Sequence, residues 1–423
     1  MRSRLLLLLL VCLAVAVQAF AQPVPTLKPG DFAAVCGDSI TEQKLYSVFI
    51  EDYLLMCQPE SDMRTLQVGW GGEVADSFWH RLGQDVLPLH PTIATTCYGM
   101  NDGGYGPLNP DRAAWYRKAQ TGSVEDLRKG GVRLIVLGSP GCVDSDTFAG
   151  GNHQAAEVYN KTLGQLRDID REVAGAEKVV FADVHEPMMQ VMAAAKAKYG
   201  HGYHVAGTDG VHPWKNGHLV MAYAYLKAMG CDGHIGTITL DLAANTARAS
   251  RGHKILSCSN GTVEVESTRY PFCFYGDPAS PDATTGVLEF FPFNQDLNRF
   301  WLVVNGCNAT SRYKVTWGKG SKEFTGAELT SGINLAAEFM DSPFRDAFAK
   351  VEAAVRAQQD FETNLTKMWL HNLPSYRSVL PNELAPISQI QDGLIARDAA
   401  YAKTSSDAIV PVKHTIVVEA VGQ

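Results

Sequence analysis

Ser39 sits where an apolar run, "FAAVC" (32–36), passes through Gly37-Asp38-Ser39 into a stretch suited to a helix, Gln43 to Cys57. A serine there can cap the helix with its hydroxyl, or it can attack an electrophile. Attack needs a base for the hydroxyl proton, a group that orients the base, and donors for the developing oxyanion. The chain holds a candidate for each. Asp209 and His212, three residues apart in "GTDGVHPWKNGH" (207–218), fit one turn. There the carboxylate accepts from one ring nitrogen and leaves the other free as base. Gly72, in "VGWGGEV" (68–74), has no side chain, so its N–H can approach a substrate closely. Gly71 is the alternative in the same run, and the close-approach argument favours Gly72. Asn101, in "CYGMNDGG" (97–104), offers a neutral amide donor. The Ser39 N–H, at a helix start, is a further donor. Together these residues meet the needs of acyl transfer from an ester.

Elements must bring these distant residues together. Residues 31–230 alternate short apolar runs with helical stretches. The runs are "FAAVC", "RTLQVG" (64–69), "TIATTCYG" (92–99), "VRLIVLG" (132–138) and "KVVFADV" (178–184). Most are continuously apolar, as strands buried on both faces of a parallel sheet are. The predicted helices include 43–57, 74–86, 155–172, 187–198 and 213–229. This alternation predicts a doubly wound α/β unit, whose ligands bind at the carboxyl ends of the strands. The four chemistry-bearing stretches follow strands or open helices, so they would meet at one sheet edge.

After Gly230 the texture changes. The runs "GTVEVEST", "GVLEFFPF", "RFWLVVNG" and "RYKVTWG" predict antiparallel β structure within 235–333. Ser342 as N-cap and Pro343 at the first position predict a helix over 343–371. Phe344, Phe348, Val351 and Val355 fall on one of its faces and read as core, and "KHTIVVEAV" predicts a last strand.

Four blocks, "GDSI" (37–40), "GWGGE" (69–73), "GMND" (99–102) and "DGVH" (209–212), resemble in order and spacing the SGNH, or GDSL-type, hydrolase family over residues 30–230. The resemblance implies a flavodoxin-like three-layer α/β/α fold with a parallel sheet. It also implies a serine esterase or lipase-like reaction without metal or other cofactor. Carried over by position, the nucleophile falls on Ser39, the triad partners on Asp209 and His212, and the oxyanion hole on Ser39, Gly72 and Asn101. Ile40 stands where the block usually has Leu, and no G-x-S-x-G elbow is present. Trp70, Tyr105 and Trp214 flank the blocks as candidate substrate contacts, with packing as the alternative; Trp79 is a weaker candidate of the same kind. His201, His204 and His218 read as surface or supporting residues rather than metal ligands.

The 423 residues are 46 % hydrophobic and 19 % charged, as in ordinary globular proteins, and the net charge of -8 argues against a nucleic-acid partner. Arg2 and Arg4, the apolar run Leu5–Val17 and Ala19-Phe20-Ala21 predict a signal peptide over 1–21, hence a secreted or periplasmic protein without a stable membrane anchor. The expected division is then 22–234 for the catalytic domain and 235–423 for a β-rich accessory region. Cys258, Cys273 and Cys307 lie in the strand-rich part, where one disulfide is expected. Cys36 and Cys97 read as core. The small-acyl chemistry common in the resembled family, together with export and the added β-rich region, favours short-acyl, acetyl-type esters of carbohydrates, including acylated polysaccharide, as substrates. The competing readings are a lipase, arylesterase or thioesterase, an acyltransferase, and a non-catalytic glycan-binding protein. Oligomeric state is not legible.

Overall fold

The computed structural model describes residues 26–149 and 155–422. The expected signal peptide lies outside the described residues. Five strands form a parallel sheet in the order β2-β1-β3-β4-β5: β1 (Phe32–Gly37), β2 (Arg64–Gln67), β3 (Ile93–Cys97), β4 (Leu134–Gly138) and β5 (Val180–Ala182). Helices α1 (Ser39–Glu42), α2 (Tyr46–Met56), α3 (Ala75–Asp85), α4 (Pro110–Lys129), α5 (Ala156–Glu177), α6 (His185–Tyr199) and α7 (Lys215–Ala228) alternate with them. Both sheet faces are buried, which is why the strands read as unbroken apolar runs. Ala33 and Val35 of β1 join one core with Phe49, Tyr53, Val220 and Tyr225. Ala34 and Cys36 join the other with Phe78, Tyr116 and Leu166. The chain crosses from β2 to β3 over β1, so a crevice opens at the carboxyl ends of β1 and β3. Helix α4, set by its Asn109 cap and Pro110, is absent from the predicted helices because charged residues dilute its apolar stripe.

The C-terminal half builds two further sheets. One, in the order β13-β10-β6-β7, contains β6 (His234–Asp241), β7 (Thr246–Ala249), β10 (Arg299–Asn305) and β13 (Ile333–Asn334). The other, β12-β11-β14-β9-β8, contains β8 (His253–Ser259), β9 (Thr262–Ser267), β11 (Arg312–Trp317), β12 (Gly320–Thr325) and β14 (Val412–Ala420). The second is antiparallel throughout, but β10 runs parallel to β6, against the antiparallel expectation. "GVLEFFPF" is not a strand. Turns carry Val287 and Phe291 into the core, and α8 (Phe293–Asp296) begins after Pro292. The short helices α9 (Gly326–Ser331) and α10 (Leu335–Glu338) complete this part. Cys258, Cys273 and Cys307 are free thiols, so the expected disulfide is absent. Cys273 is buried after β9 and donates to the Pro271 carbonyl, while Cys258 and Cys307 lie on β8 and after β10.

The predicted helix 343–371 resolves into α11 (Arg345–Asn364) and a π-helical turn, Leu365–Leu370. It starts later than expected because the Ser342 hydroxyl accepts from Phe344 N–H ahead of the first helical turn. Two helices beyond it, α12 (Leu373–Val379) and α13 (Leu384–Asp407), were not predicted. Helix α11 packs on α2 and on the edge strand β2, where the Glu362 carboxylate accepts from the Gln67 N–H (2.7 Å). A sheet edge that would otherwise offer free donors is thereby covered. Among the described residues no helix is long and apolar enough to cross a membrane.

Candidate active site

Strand β1 ends at Gly37, and Asp38 caps α1 by accepting from the Ile40 N–H (2.9 Å). Ser39 is therefore the first residue of α1, and its own N–H has no acceptor within the helix. Its Oγ lies 2.8 Å from Nε2 of His212. Nδ1 of the same ring lies 2.6 Å from Oδ2 of Asp209. A carboxylate accepts only, so Nδ1 carries the proton and Nε2 presents a lone pair to the Ser39 hydroxyl. Burial disfavours the charge on Asp209, but the N–H groups of His212 and Val211 and the imidazole outweigh it and hold the carboxyl below its ordinary value. Gly207 closes the loop behind them at φ +82°, where a Cβ would stand 1.8 Å from the His212 carbonyl oxygen.

Two side groups brace this loop. Gln43 donates to the Pro213 carbonyl (3.3 Å) and accepts from Nε2 of His218 (3.0 Å). His218 is fully buried, and desolvation pushes its pKa down to about 3, helped by the nearby His212. It is a neutral brace rather than a surface residue. On the other side the Asp144 N–H donates to Gly210, and the Asp144 carboxylate binds Lys196 (2.6 Å) and His204 (3.3 Å). His201 is exposed on Asp146.

The donor side lies after β2 and β3. Trp70–Glu73 is a tight turn closed by the Glu73 N–H on the Trp70 carbonyl (3.1 Å), with Gly72 at its third position and φ +75°. A type II turn demands that conformation there. The Gly71 N–H donates to Glu42 (2.5 Å), whereas the Gly72 N–H makes no hydrogen bond among the described residues. Asn101 gives one amide N–H to the Glu73 carbonyl (2.9 Å) and accepts from Tyr105 Oη (2.9 Å), which fixes its orientation and leaves the second N–H. Glu73 itself is buried on Arg81 and Tyr98. Asp102 accepts from the N–H groups of Ala75 and Gly99, tying the two loops, and burial raises its pKa to about 6.

Of the three substrate-contact candidates, Trp70 lines a cavity of about 450 Å³ beside Gly72, with Ser77, His80, Gln84 and His371. Tyr105 stacks on Tyr159 and Phe148 (centroids 5.1 and 6.3 Å) as it holds Asn101. Trp214 is half-buried at the cap of α7, and its carbonyl accepts from the His218 N–H. Trp79 is elsewhere: it donates to Asp126 and fills the space above Gly122. Sequence reasoning did not single out Glu42, Lys367 or His371. Glu42 had one signal, its place three residues after Ser39 on the same helix; the other two had none.

The fold recurs across nearly the whole chain in the solved structure of a gut microbial diltiazem-metabolizing enzyme. That likeness has 21% identity and a TM-score of 0.71, and covers 95% of this chain and 100% of that one. An acetylxylan esterase from Geobacillus stearothermophilus is similar at 20% identity over 48% of this chain and 95% of its own, with a TM-score of 0.40. No match emerged among curated protein sequences. Residues 35–220 match the GDSL-like lipase/acylhydrolase family. That stretch thus carries the match to the family, which supports a carboxylic ester hydrolase.

Proposed function

We propose that the protein is a secreted serine esterase that removes short acyl groups, acetyl above all, from carbohydrates. The observation that carries the serine mechanism is the chain Ser39 Oγ–His212 Nε2 (2.8 Å) and His212 Nδ1–Asp209 Oδ2 (2.6 Å), set beside unspent N–H groups. In this reading His212 takes the Ser39 proton as Oγ attacks the ester carbonyl. Asp209 stabilises the imidazolium. The oxyanion accepts from the N–H groups of Ser39 and Gly72 and from the Asn101 amide. His212 then protonates the leaving alcohol, and water repeats the sequence on the acyl-enzyme. Support for a carbohydrate alcohol comes from the cavity beside Gly72. Trp70 lines it, and Ser77, His80, Gln84 and His371 offer donors and acceptors, a mix suited to a polyol.

The test is hydrolysis of p-nitrophenyl esters of increasing acyl length alongside acetylated oligosaccharides. Wild type is expected to prefer acetyl esters, and Ser39→Ala to lose about 10⁵-fold or more in kcat. Unchanged activity in Ser39→Ala would sink the site. His80→Ala is expected to raise KM about 5-fold for the acetylated oligosaccharide and to leave p-nitrophenyl acetate unaffected; equal effects on both would remove the carbohydrate reading. Export is checked by N-terminal sequencing of the extracytoplasmic protein. A chain beginning at Gln22 supports it, and an intact Met1 rejects it.

A further inference from the structure

We propose that Glu42 and Lys367 are positioning residues for the oxyanion hole, and that the C-terminal half is thereby part of the catalytic apparatus. The proposal rests on the assignment of Gly72 to that hole. Glu42 is the last residue of α1, the helix that Ser39 begins. One of its carboxylate oxygens accepts from the Gly71 N–H (2.5 Å), and the other accepts from Lys367 Nζ (2.5 Å). Lys367 comes from the π-helical turn after α11, and its ammonium also stands 5.2 Å from the centroid of the Trp70 ring. Leu365 and Leu370, on either side of it, are buried in the core beneath the sheet with Leu66, Val68 and Phe78, so the turn is firmly seated. Insertions of this kind in helices often mark functional positions.

Glycine at both central positions leaves the turn's backbone with little steric preference, so it needs a strut. Glu42 holds the Gly71 N–H, on the Trp70–Gly71 peptide, and so ties the turn that carries Gly72 to the helix that Ser39 begins, but a carboxylate with a single partner is free to turn out to water. Lys367 occupies its second oxygen and removes that freedom. Both side chains are about a quarter exposed, 26% for Glu42 and 24% for Lys367. An ion pair so exposed adds little to stability. Its expected consequence is therefore in turnover rather than in melting.

The experiment measures p-nitrophenyl acetate hydrolysis by wild type, Lys367→Met, Lys367→Arg and Glu42→Gln, with the Tm of each and with Ser39→Ala and Asn101→Ala as controls. Lys367→Met and Glu42→Gln are expected to lower kcat about 10-fold with KM within about 2-fold, because only the charged transition state uses the donor. Lys367→Arg should recover most of the loss, and the Tm of Lys367→Met should stay within about 2 °C of wild type. The rate at which a phosphonate, a tetrahedral oxyanion mimic, labels Ser39 should fall in parallel with kcat. A kcat within about 2-fold of wild type in Lys367→Met, or a loss that arginine does not rescue, overturns the proposal while inactive Ser39→Ala and weakened Asn101→Ala leave the serine mechanism standing. Full activity in Ser39→Ala overturns both.

Discussion

The hydrogen-bonded chain from Ser39 through His212 to Asp209 runs one way, because Asp209 can only accept and so dictates the tautomer of the imidazole. Asn101 is oriented by the same logic: the Glu73 carbonyl must face its amide N–H, and Tyr105 Oη supplies the donor for its oxygen. Tyr105→Phe keeps the stacking on Tyr159 and removes that donor. It is expected to lower kcat about 5-fold with KM unchanged, read from steady-state kinetics on p-nitrophenyl acetate; a KM effect instead would mean that Tyr105 contacts substrate directly. Asp38, beside Ser39, is wholly buried, and desolvation pushes its pKa up to about 7 despite the Ile40 N–H, with Asp102 adding repulsion. The folded state thus holds this proton more tightly than the unfolded chain. Its contribution to stability falls as pH climbs from about 4 to about 7. Asp38→Asn keeps the acceptor for Ile40 and removes the titration. Its Tm relative to wild type should rise between pH 5 and pH 8, and a constant difference would contradict the assignment.

Between elements, the decisive contact is the polar seam of α11 against α2, β2 and α13. Gln358 donates to both Glu51 and Glu362 (2.8 Å each) and accepts from Ser405 of α13 (2.8 Å). Gln359 adds a bond to the second oxygen of Glu51 (2.8 Å). Burial raises the pKa of both carboxyls, so the shared amide donors are what make their enclosure tolerable. Gln358→Leu leaves both carboxyls short of a donor with no room for water. A cost of about 2 to 4 kcal/mol is expected in urea unfolding, and one below about 0.5 kcal/mol would show the seam to be dispensable.

For the molecule as a whole, one continuous core runs from the face of the parallel sheet into the C-terminal sheets, joining Phe49 and Tyr53 to Phe272, Phe300, Trp317 and Ile416. Inside it lies a polar chain. Trp317 Nε1–H can only donate, so His414 accepts at Nδ1 and donates its one ring proton from Nε2 to Ser267, Ser267 donates to His253, and His253 to the Ile235 carbonyl. Burial lowers the pKa of His253 to about 4 and of His414 to about 3. Both rings fold neutral. Their contribution is complete above about pH 6.5 and is lost as pH falls toward about 4 for His253 and about 3 for His414, on the order of 3 and 5 kcal/mol at most. His414→Gln should cost stability at pH 7 and shallow the loss of Tm between pH 6.5 and 4. An unchanged acid limb would place the sensitivity elsewhere.

The sequence by itself determined the α/β unit and its strands, and it named Ser39, Asp209 and His212, which the structure brings within hydrogen-bond distance. Strands buried on both faces must be apolar at nearly every position, and a glycine turn, a serine at a helix start and an Asp-x-x-His turn are local features that survive in one dimension. Helix α13 was not legible because its buried positions mix apolar Ile387 with polar Asp398 and Ser405, the last bonded to Gln358 of α11, so its apolar period is interrupted. The parallel pairing of β6 with β10 was hidden for a related reason. Alternation reports which side of a strand is buried, not which neighbour it finds. Only the tertiary structure decided between Gly71 and Gly72 as the glycine with an unspent N–H. The residue that engages Gly71 is Glu42, held in turn by a lysine 325 positions further along the chain. A contact of that span leaves no periodic trace, because it depends on how the C-terminal helices pack over the edge of the catalytic sheet.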